Sequence, residues 1–284
     1  MSSDTIPDLN PIYETIENEG ASLKVWHQGH GPLLILIQGG GGDGARFNEA
    51  IPTLSQHYKV CTYDRRGNGE STVAKPRMLN PMESARDVTA IIRGLGFTKA
   101  ALFGTSSGGI IALQVAESYP EFVDRVVIHE IPIVSFLPEE SIRKVDAGYN
   151  IYQTYLEQGA ETALVHFRSS VTGKPIETAP ASAAAAKAPE PHRLDYFFRY
   201  EFLVFHIYTP NLHRIRTSGV PIATVEGEES KGVFHATSAR VQSEILHCTH
   251  VIWPGAHAPF VTDPTMFAVE LHKTLEVLRK QRGE

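Results

Sequence analysis

Cysteine is nearly absent from this chain of 284 residues, which contains only Cys61 and Cys248. Two thiols cannot form the disulfide network that stabilises small secreted domains, and both lie in apolar, strand-like segments. We therefore expect buried, reduced thiols and a cytoplasmic location. Residues 1–10 are polar and acidic, unlike the apolar core of a secretory signal, and favour the same location.

Long apolar runs, basic clusters and metal-ligand motifs are also missing. No stretch approaches the about 18 consecutive apolar residues of a membrane-spanning helix. The net charge is −6 without any dense basic segment, which argues against a nucleic-acid partner. Neither H-E-x-x-H nor paired-cysteine spacing occurs, so we predict no metal. The expected partner is a small molecule. We expect neither a cofactor nor binding to a membrane, and the sequence is compatible with a homodimer.

What the chain does contain is a regular alternation of strand-like and helix-like segments. Apolar residues make up 42% of the chain, enough for a large core. Leu33–Ile37 is wholly apolar, which is typical of a strand buried on both faces of a parallel sheet. Further strand-like runs are 12–17, 22–27, 58–63, 100–103, 125–129, 220–225 and 249–253, and helix-like runs are 82–95, 110–118, 238–246 and a final helix from Asp263-Pro264. The alternation predicts an α/β fold with a mostly parallel sheet and helices on both faces.

The rhythm stops in the middle of the chain. From about residue 132 to 218 no strand-like run occurs, and the segment is helix-like and rich in aromatic residues. An Ala/Pro tract at 179–191 predicts a connection of low complexity. We therefore expect a helical lid at 132–218, inserted between the two parts of a core domain, 1–131 and 219–284.

The sharpest local motif is G-T-S-S-G at residues 104–108. It lies between a predicted strand and a predicted helix, the context of a nucleophile elbow. So tight a turn needs small residues around its serine and lifts the hydroxyl above the sheet. The motif predicts Ser106 as the nucleophile. Ser107 is the alternative nucleophile. The alternative without a catalytic role is a glycine-rich helix start that Ser106 only caps.

A serine hydroxyl needs a base, and the base needs an acid to orient it. Among 13 histidines, His257 lies in the loop after the last predicted strand, at the sheet edge that the elbow also faces. Two places could supply the acid. Glu130 follows one predicted strand, and Glu228 and Glu229 follow the next. Spacing alone does not decide between them.

The glycine-rich loop at 39–44 allows two interpretations. As part of a hydrolase, the loop supplies the N–H of Gly40, which with the N–H of Ser107 forms an oxyanion hole. The loop also matches the dinucleotide fingerprint G-x-G-x-x-G, with Asp64 at the end of the next strand, which would indicate an NAD(P)-binding oxidoreductase. Two strands precede the loop, and four consecutive glycines start a helix poorly, so the hydrolase interpretation is favoured.

Together these residues resemble the α/β-hydrolase superfamily. The order is Ser106, then Glu130 or Glu229, then His257, and the likeness covers nearly the whole chain outside the insertion. The run D-R-R-G-N-G-E-S at 64–71 is similar to the superfamily's D-x-R-G-x-G-x-S turn, which implies a structural role for Asp64. The resemblance implies an α/β-hydrolase fold and a hydrolase without a cofactor.

A narrower resemblance concerns fungal zearalenone lactonases and their uncharacterised relatives. It rests on residues 104–108, on H-E-I-P at 129–132 and on P-G-A-H-A-P-F-V at 254–261. In that group the triad acid is the glutamate after the sixth strand, which implies Glu130 here, and the oxyanion donors carry over onto Gly40 and Ser107. The chain agrees at one further point, because Ser230 takes the place where most relatives carry the acid.

The expected function is a serine hydrolase that cleaves a carboxylic ester or lactone of an apolar small molecule. The predicted triad is Ser106, His257 and Glu130, acting through an acyl-enzyme. The lactonase lid contributes a tryptophan to the substrate, whereas Trp26 and Trp253 lie outside the lid here, so the resemblance leaves the natural substrate open. The alternatives are a carbon–carbon bond hydrolase on the same fold and a non-enzymatic receptor for a small ligand on a hydrolase scaffold.

Overall fold

A mixed sheet lies at the centre of the structure, a computed structural model that describes residues 10–137, 139–174 and 191–281. The strands are β1 (Ile12–Asn18), β2 (Ala21–Gln28), β3 (Leu33–Ile37), β4 (Lys59–Tyr63), β5 (Thr72–Val73), β6 (Ala100–Thr105), β7 (Val123–His129), β8 (Ile222–Gly227) and β9 (Thr249–Trp253). Their spatial order is β1-β2-β4-β3-β6-β7-β8-β9, and β5 pairs with β2. From β4 to β9 along this order neighbouring strands are parallel, whereas β2 is antiparallel to β1, β4 and β5.

Helices cover both faces of the sheet. They are α1 (Ile51–Leu54), α2 (Pro81–Gly94), α3 (Ser107–Ser118), α4 (Ser141–Gln158), α5 (Ala160–Thr172), α6 (Pro191–Tyr196), α7 (Leu203–Ile207), α8 (Leu212–Thr217), α9 (Phe234–Leu246), α10 (Pro259–Thr262) and α11 (Pro264–Gln281). A π-helical segment, Phe197–Phe202, joins α6 to α7. Helices α2 and α3 pack on one face, and α1 and α11 on the other. The predicted α/β architecture is confirmed.

Strand β3 illustrates why the core strands are wholly apolar. Leu33, Ile35 and Ile37 belong to the hydrophobic cluster on one face, and Leu34 and Leu36 belong to the cluster on the other. Successive side chains of a strand point to opposite faces, so a strand covered by helices on both sides needs apolar residues at every position.

The helices between β7 and β8 have a small core of their own. Buried Tyr155, Phe197, Phe198 and Phe202 form it together with aliphatic residues of α4, α5 and α6. The aromatic residues of this part of the chain therefore pack mainly against each other. We call the described helices between β7 and β8 the lid, and the limits 132 and 218 stay a prediction.

Several local expectations need correction. Cys61 is buried in β4, but Cys248 is half-buried and lies between α9 and β9, so the prediction of two buried strand thiols is wrong for Cys248. Helices α3 and α9 begin three and four residues earlier than predicted, and α1 and β5 were not predicted. The expectations for residues 1–9 and 179–190 lie outside the described residues. No helix in the described ranges is long and apolar enough to cross a membrane.

Candidate active site

Ser106 lies in a strained turn between β6 and α3. Its φ of +52° and ψ of −130° fall where a residue with a side chain is rarely found. The flanking glycines are needed for close packing: a Cβ on Gly104 would lie 2.5 Å from the carbonyl oxygen of Gly108, and one on Gly108 would lie 2.2 Å from that of Ile37. The backbone strain thus falls on Ser106, whereas Ser107 is already the first residue of α3.

Glu130 lies directly after β7, which is the strand next to β6 in the sheet. Like Ser106 it has a positive φ, +48°. Its Oε1 accepts a 2.8 Å hydrogen bond from the N–H of Gly227, and its Oε2 lies 2.7 Å from Nδ1 of His257. Glu228 and Glu229 are exposed in the turn after β8. Of the three sequence-predicted acids, the structure brings Glu130 against His257.

The surroundings of Glu130 favour its ionised form. Burial by itself raises the pKa of this carboxyl, but the imidazoles of His129, His235 and His257 lower it, and the net pKa lies well below its usual range. An ionised carboxylate can only accept a hydrogen bond, so Nδ1 of His257 carries the proton. Nε2 of His257 is then left as the basic nitrogen, which is the tautomer that a general base requires.

His235 is a neighbour of this pair that the sequence analysis missed. Its Nε2 lies 3.0 Å from Oε2 of Glu130, off the direction of the ring N–H, and its ring centroid lies 4.4 Å from that of His257. Burial, and next the charge of His257, lower the pKa of His235, which favours its neutral form. The predicted helix began at Ser238, so the sequence offered no signal that His235 stands at the start of α9.

Glu130, His235 and His257 also meet the spacing of a metal site. One ligand atom from each lies within 4.8 Å of the others. The contacts of 2.7 and 3.0 Å from Glu130 to the two imidazoles are, however, shorter than the about 3.3 Å that separates neighbouring ligands around a tetrahedral zinc ion. The contact between Glu130 and His257 therefore fits a direct hydrogen bond better than two ligands of one tetrahedral zinc ion.

The glycine-rich loop after β3 lies against the elbow. A Cβ on Gly39 would lie 2.9 Å from Cβ of Ser106, and one on Gly40 would lie 2.9 Å from Cε2 of Phe197 in the π-helical segment. Gly40 and Ser107, the predicted oxyanion donors, both line the pocket into which Ser106 opens. Glycine is needed here because the loop fits between the elbow and the lid without space for a side chain.

Asp64, the acid of the alternative dinucleotide fingerprint, is occupied within the protein. Its Oδ1 accepts a 3.0 Å hydrogen bond from the N–H of Gly44, and its Oδ2 accepts a 2.7 Å bond from the N–H of Glu70. A Cβ on Gly69 would lie 2.0 Å from this carboxylate. Asp64 thus ties the turn after β4 to the glycine-rich loop.

One pocket brings the remaining predicted residues together. Ser106 and His257 line it, and helices of the lid form its opposite wall with Ile151, Phe167 and Phe197. Glu130 is fully buried and contacts His257 from the side of the sheet. A strained serine, an imidazole and a buried carboxylate therefore lie at one end of the parallel strands, and the first two line one pocket together with mostly apolar residues of the lid.

His129 should make stability sensitive to acid. It is buried beside Trp253, and burial lowers its pKa from 6.5 to about 4. Between these values the unfolded state binds more protons than the folded state, so the free energy of unfolding falls as the pH falls. Between about pH 7 and pH 5 the free energy of unfolding should fall by about 2 kcal/mol less in His129→Gln than in the wild type, measured by urea unfolding. The exposed His213→Gln variant is the control, and an unchanged pH dependence in His129→Gln would refute the expectation.

Comparison with known proteins identifies the family. A family model described as the alpha/beta hydrolase fold, Abhydrolase_1, matches residues 32–188, more than half of the chain. The chain belongs to this α/β-hydrolase family. The superfamily resemblance inferred from the motifs is confirmed, and the oxidoreductase alternative is not supported. The narrower resemblance to zearalenone lactonases stays a prediction.

Individual relatives agree with this family. The chain is 26% identical to the uncharacterized hydrolase YraK of Bacillus subtilis (strain 168) over 276 residues. The match covers 94% of this chain and 97% of YraK. The fold of this chain is similar to that of the esterase RhEst1 from Rhodococcus sp. ECU1013, with a TM-score of 0.72 and 23% identity. The match covers 94% of this chain and 99% of RhEst1. The fold is also similar to that of Est816, described as an N-acyl homoserine lactone degrading enzyme, with a TM-score of 0.62, 20% identity and coverage of 92% and 99%. At these identities the two structures establish the fold alone.

Proposed function

We propose that this α/β-hydrolase is a serine hydrolase that cleaves carboxylic esters or lactones of apolar small molecules. The observation that carries the proposal is the contact of 2.7 Å between Nδ1 of His257 and Glu130, beside a pocket that Ser106 also lines. This contact leaves Nε2 of His257 as a base on the pocket side. The strained backbone of Ser106 holds its hydroxyl at the N-terminus of α3, where the helix dipole favours negative charge.

The reaction proceeds in two halves. His257 accepts the proton of Ser106 while Oγ attacks the carbonyl carbon, and the negative charge on the carbonyl oxygen is stabilised by the N–H groups of Gly40 and Ser107. The protonated His257, stabilised by ionised Glu130, then gives its proton to the leaving alkoxide. In the second half His257 deprotonates a water molecule that attacks the acyl-enzyme, and the acid is released as Ser106 recovers its proton.

The pocket supports an apolar acyl or alcohol group. Its wall is formed mainly by aromatic and aliphatic side chains, among them Phe167, Phe197 and Phe202. Such a wall binds rings or alkyl chains by burial of apolar surface and leaves the orientation of the substrate to a few polar groups. An esterase and a lactone-degrading enzyme share this fold, which makes both bond types chemically reasonable here. A zearalenone-lactonase-like substrate is the finer form of the proposal.

The proposal can be tested by labelling the nucleophile. A fluorophosphonate should add one covalent group to the native protein, and fragment ions of the proteolytic peptide should assign that group to Ser106 and not to Ser107. Parallel assays with 4-nitrophenyl esters and with lactones of different ring sizes should show turnover. The unfolded protein is the control, because the reactivity depends on the assembled base. A native protein that stays unlabelled and hydrolyses no member of the panel would refute the proposal.

A further inference from the structure

Glu201 is a buried carboxylate in the wall of the same pocket. It belongs to the π-helical segment Phe197–Phe202 of the lid, and its side chain is fully buried. Its Oε1 accepts a hydrogen bond from Nη2 of Arg65, but its Oε2 has no hydrogen-bond partner among the described residues. An unpaired carboxylate oxygen away from water is costly, so such an atom calls for an explanation. Short π-helical segments also occur frequently at functional sites.

Arg65 connects this carboxylate to the oxyanion loop. Its Nη2 also donates a 2.7 Å hydrogen bond to the carbonyl oxygen of Gly39, next to Gly40. Arg65 is itself buried and lies over the ring of Phe205, 5.5 Å from the centroid. It is not the arginine of the D-x-R-G-x-G-x-S turn, which is Arg66, so its position is not explained by that turn.

The pocket that Glu201 lines is rich in phenylalanine. Phe167, Phe197, Phe202 and Phe205 line the pocket with it, and the reacting groups Ser106 and His257 line the same pocket. The carboxylate is already out of contact with bulk water, before any ligand is bound. A ligand without a hydrogen-bond donor would then leave Oε2 buried and unpaired, whereas a ligand with a donor in reach would satisfy it.

We propose that Glu201 is a specificity-determining residue that selects ester or lactone substrates carrying an alcoholic or phenolic hydroxyl on their apolar part. The hydroxyl donates a hydrogen bond to Oε2 of Glu201 while its ring or chain packs on the phenylalanine wall. This inference rests on the proposed hydrolase function and adds the substrate class.

Charge decides in favour of a neutral donor. Arg65 already balances the charge of Glu201, so the pair offers no net negative charge to a substrate cation. An anionic substrate group would face the carboxylate oxygen and be repelled by it. A hydroxyl donates to the carboxylate without adding charge to the pocket, and a hydrogen bond to an ionised acceptor is about twice as strong as one between neutral groups.

Matched substrate pairs test the inference. We would measure kcat/KM for 4-nitrophenyl phenylacetate and 3-phenylpropanoate, each without a hydroxyl and with one hydroxyl at the meta or para position of the ring, where it cannot cyclise onto the ester. Each rate is divided by that of spontaneous hydrolysis. In the wild type at least one hydroxylated ester should exceed its unsubstituted partner by about tenfold or more, which corresponds to about 1.4 kcal/mol.

The ratio between paired substrates isolates Glu201 from general damage. Glu201→Gln keeps the shape but removes the charged acceptor, so the preference should fall at least severalfold, chiefly through the hydroxylated ester. The exposed lid variant Glu161→Gln is the matched control and should keep the wild-type preference. If Glu201→Gln does not fold, the double variant Arg65→Met/Glu201→Met removes both charges together and should lose the preference likewise.

The outcomes separate this inference from the proposed function. Hydrolysis of the esters with no preference for any hydroxylated member in the wild type overturns the role of Glu201 and leaves the hydrolase intact. A preference that survives in both Glu201 variants also overturns it. Absence of hydrolysis across the panel, together with no fluorophosphonate adduct, refutes the hydrolase function and with it the substrate class.

Discussion

Ser106→Ala should lower kcat/KM for the best ester or lactone substrate by about 10⁴-fold or more. The side chain supplies the attacking oxygen, and no other group in the elbow can replace it at the same position. The remaining N–H donors and the pocket would still bind the substrate, so the loss should appear in kcat rather than in KM. Steady-state kinetics with the purified variant, free of contaminating wild-type enzyme, measures the effect.

The adjacent serine is the matched control for this experiment. Ser107→Ala keeps the backbone N–H that is predicted to stabilise the oxyanion, and Oγ of Ser107 has no hydrogen-bond partner in the described part of the chain. We expect its kcat/KM to stay within a few-fold of the wild type. Circular dichroism and thermal unfolding should show that both variants are folded. Loss of turnover in Ser107→Ala with retention in Ser106→Ala would transfer the nucleophile to the neighbouring residue.

Glu130→Gln should lower kcat/KM by about 10⁴-fold while the fold persists. A glutamine can still accept the hydrogen bond from the N–H of Gly227, but its amide can donate to Nδ1 of His257. Donation would favour the tautomer of His257 with its proton on Nε2, which cannot accept the proton of Ser106. It would also remove the negative charge that stabilises the imidazolium.

The exposed acids after β8 provide the comparison for Glu130. Glu228→Gln and Glu229→Gln remove a negative charge of the same kind at the other place where the sequence allowed the acid. Because both side chains are exposed, we expect kcat/KM within about twofold of the wild type, since screened surface charges contribute little. If Glu229→Gln abolishes turnover and Glu130→Gln does not, the assignment of the acid is wrong.

Local patterns were sufficient to predict the strands that carry the site. The apolar run Leu33–Ile37 predicted a strand buried on both faces, and the structure has it between β4 and β6. Asp263 before Pro264 predicted the start of the last helix, and Oδ1 of Asp263 accepts a hydrogen bond from the N–H of Met266 there. Such signals are local, because they depend on side-chain alternation and on capping within a few residues.

Helix starts near the site were predicted less well. The glycines after Ser106 have low helix propensity, so the pattern placed the start of α3 at Ile110 rather than at Ser107. Close packing of Gly108 on the carbonyl of Ile37 overrides that propensity. At α9 the same kind of error hid His235, because the residues before Ser238 show no helical periodicity of their own.

Neighbours along the chain were enough to predict the order of strands and helices, the tight turn around Ser106 and a short set of possible acids and bases. The contact of Glu130 with His257, the position of His235 beside both, and the pairing of Glu201 with Arg65 became apparent in the folded structure alone. These residues come from elements far apart in the sequence. Their contacts depend on the parallel pairing of β6 to β9 and on the packing of the lid over the carboxyl ends of those strands.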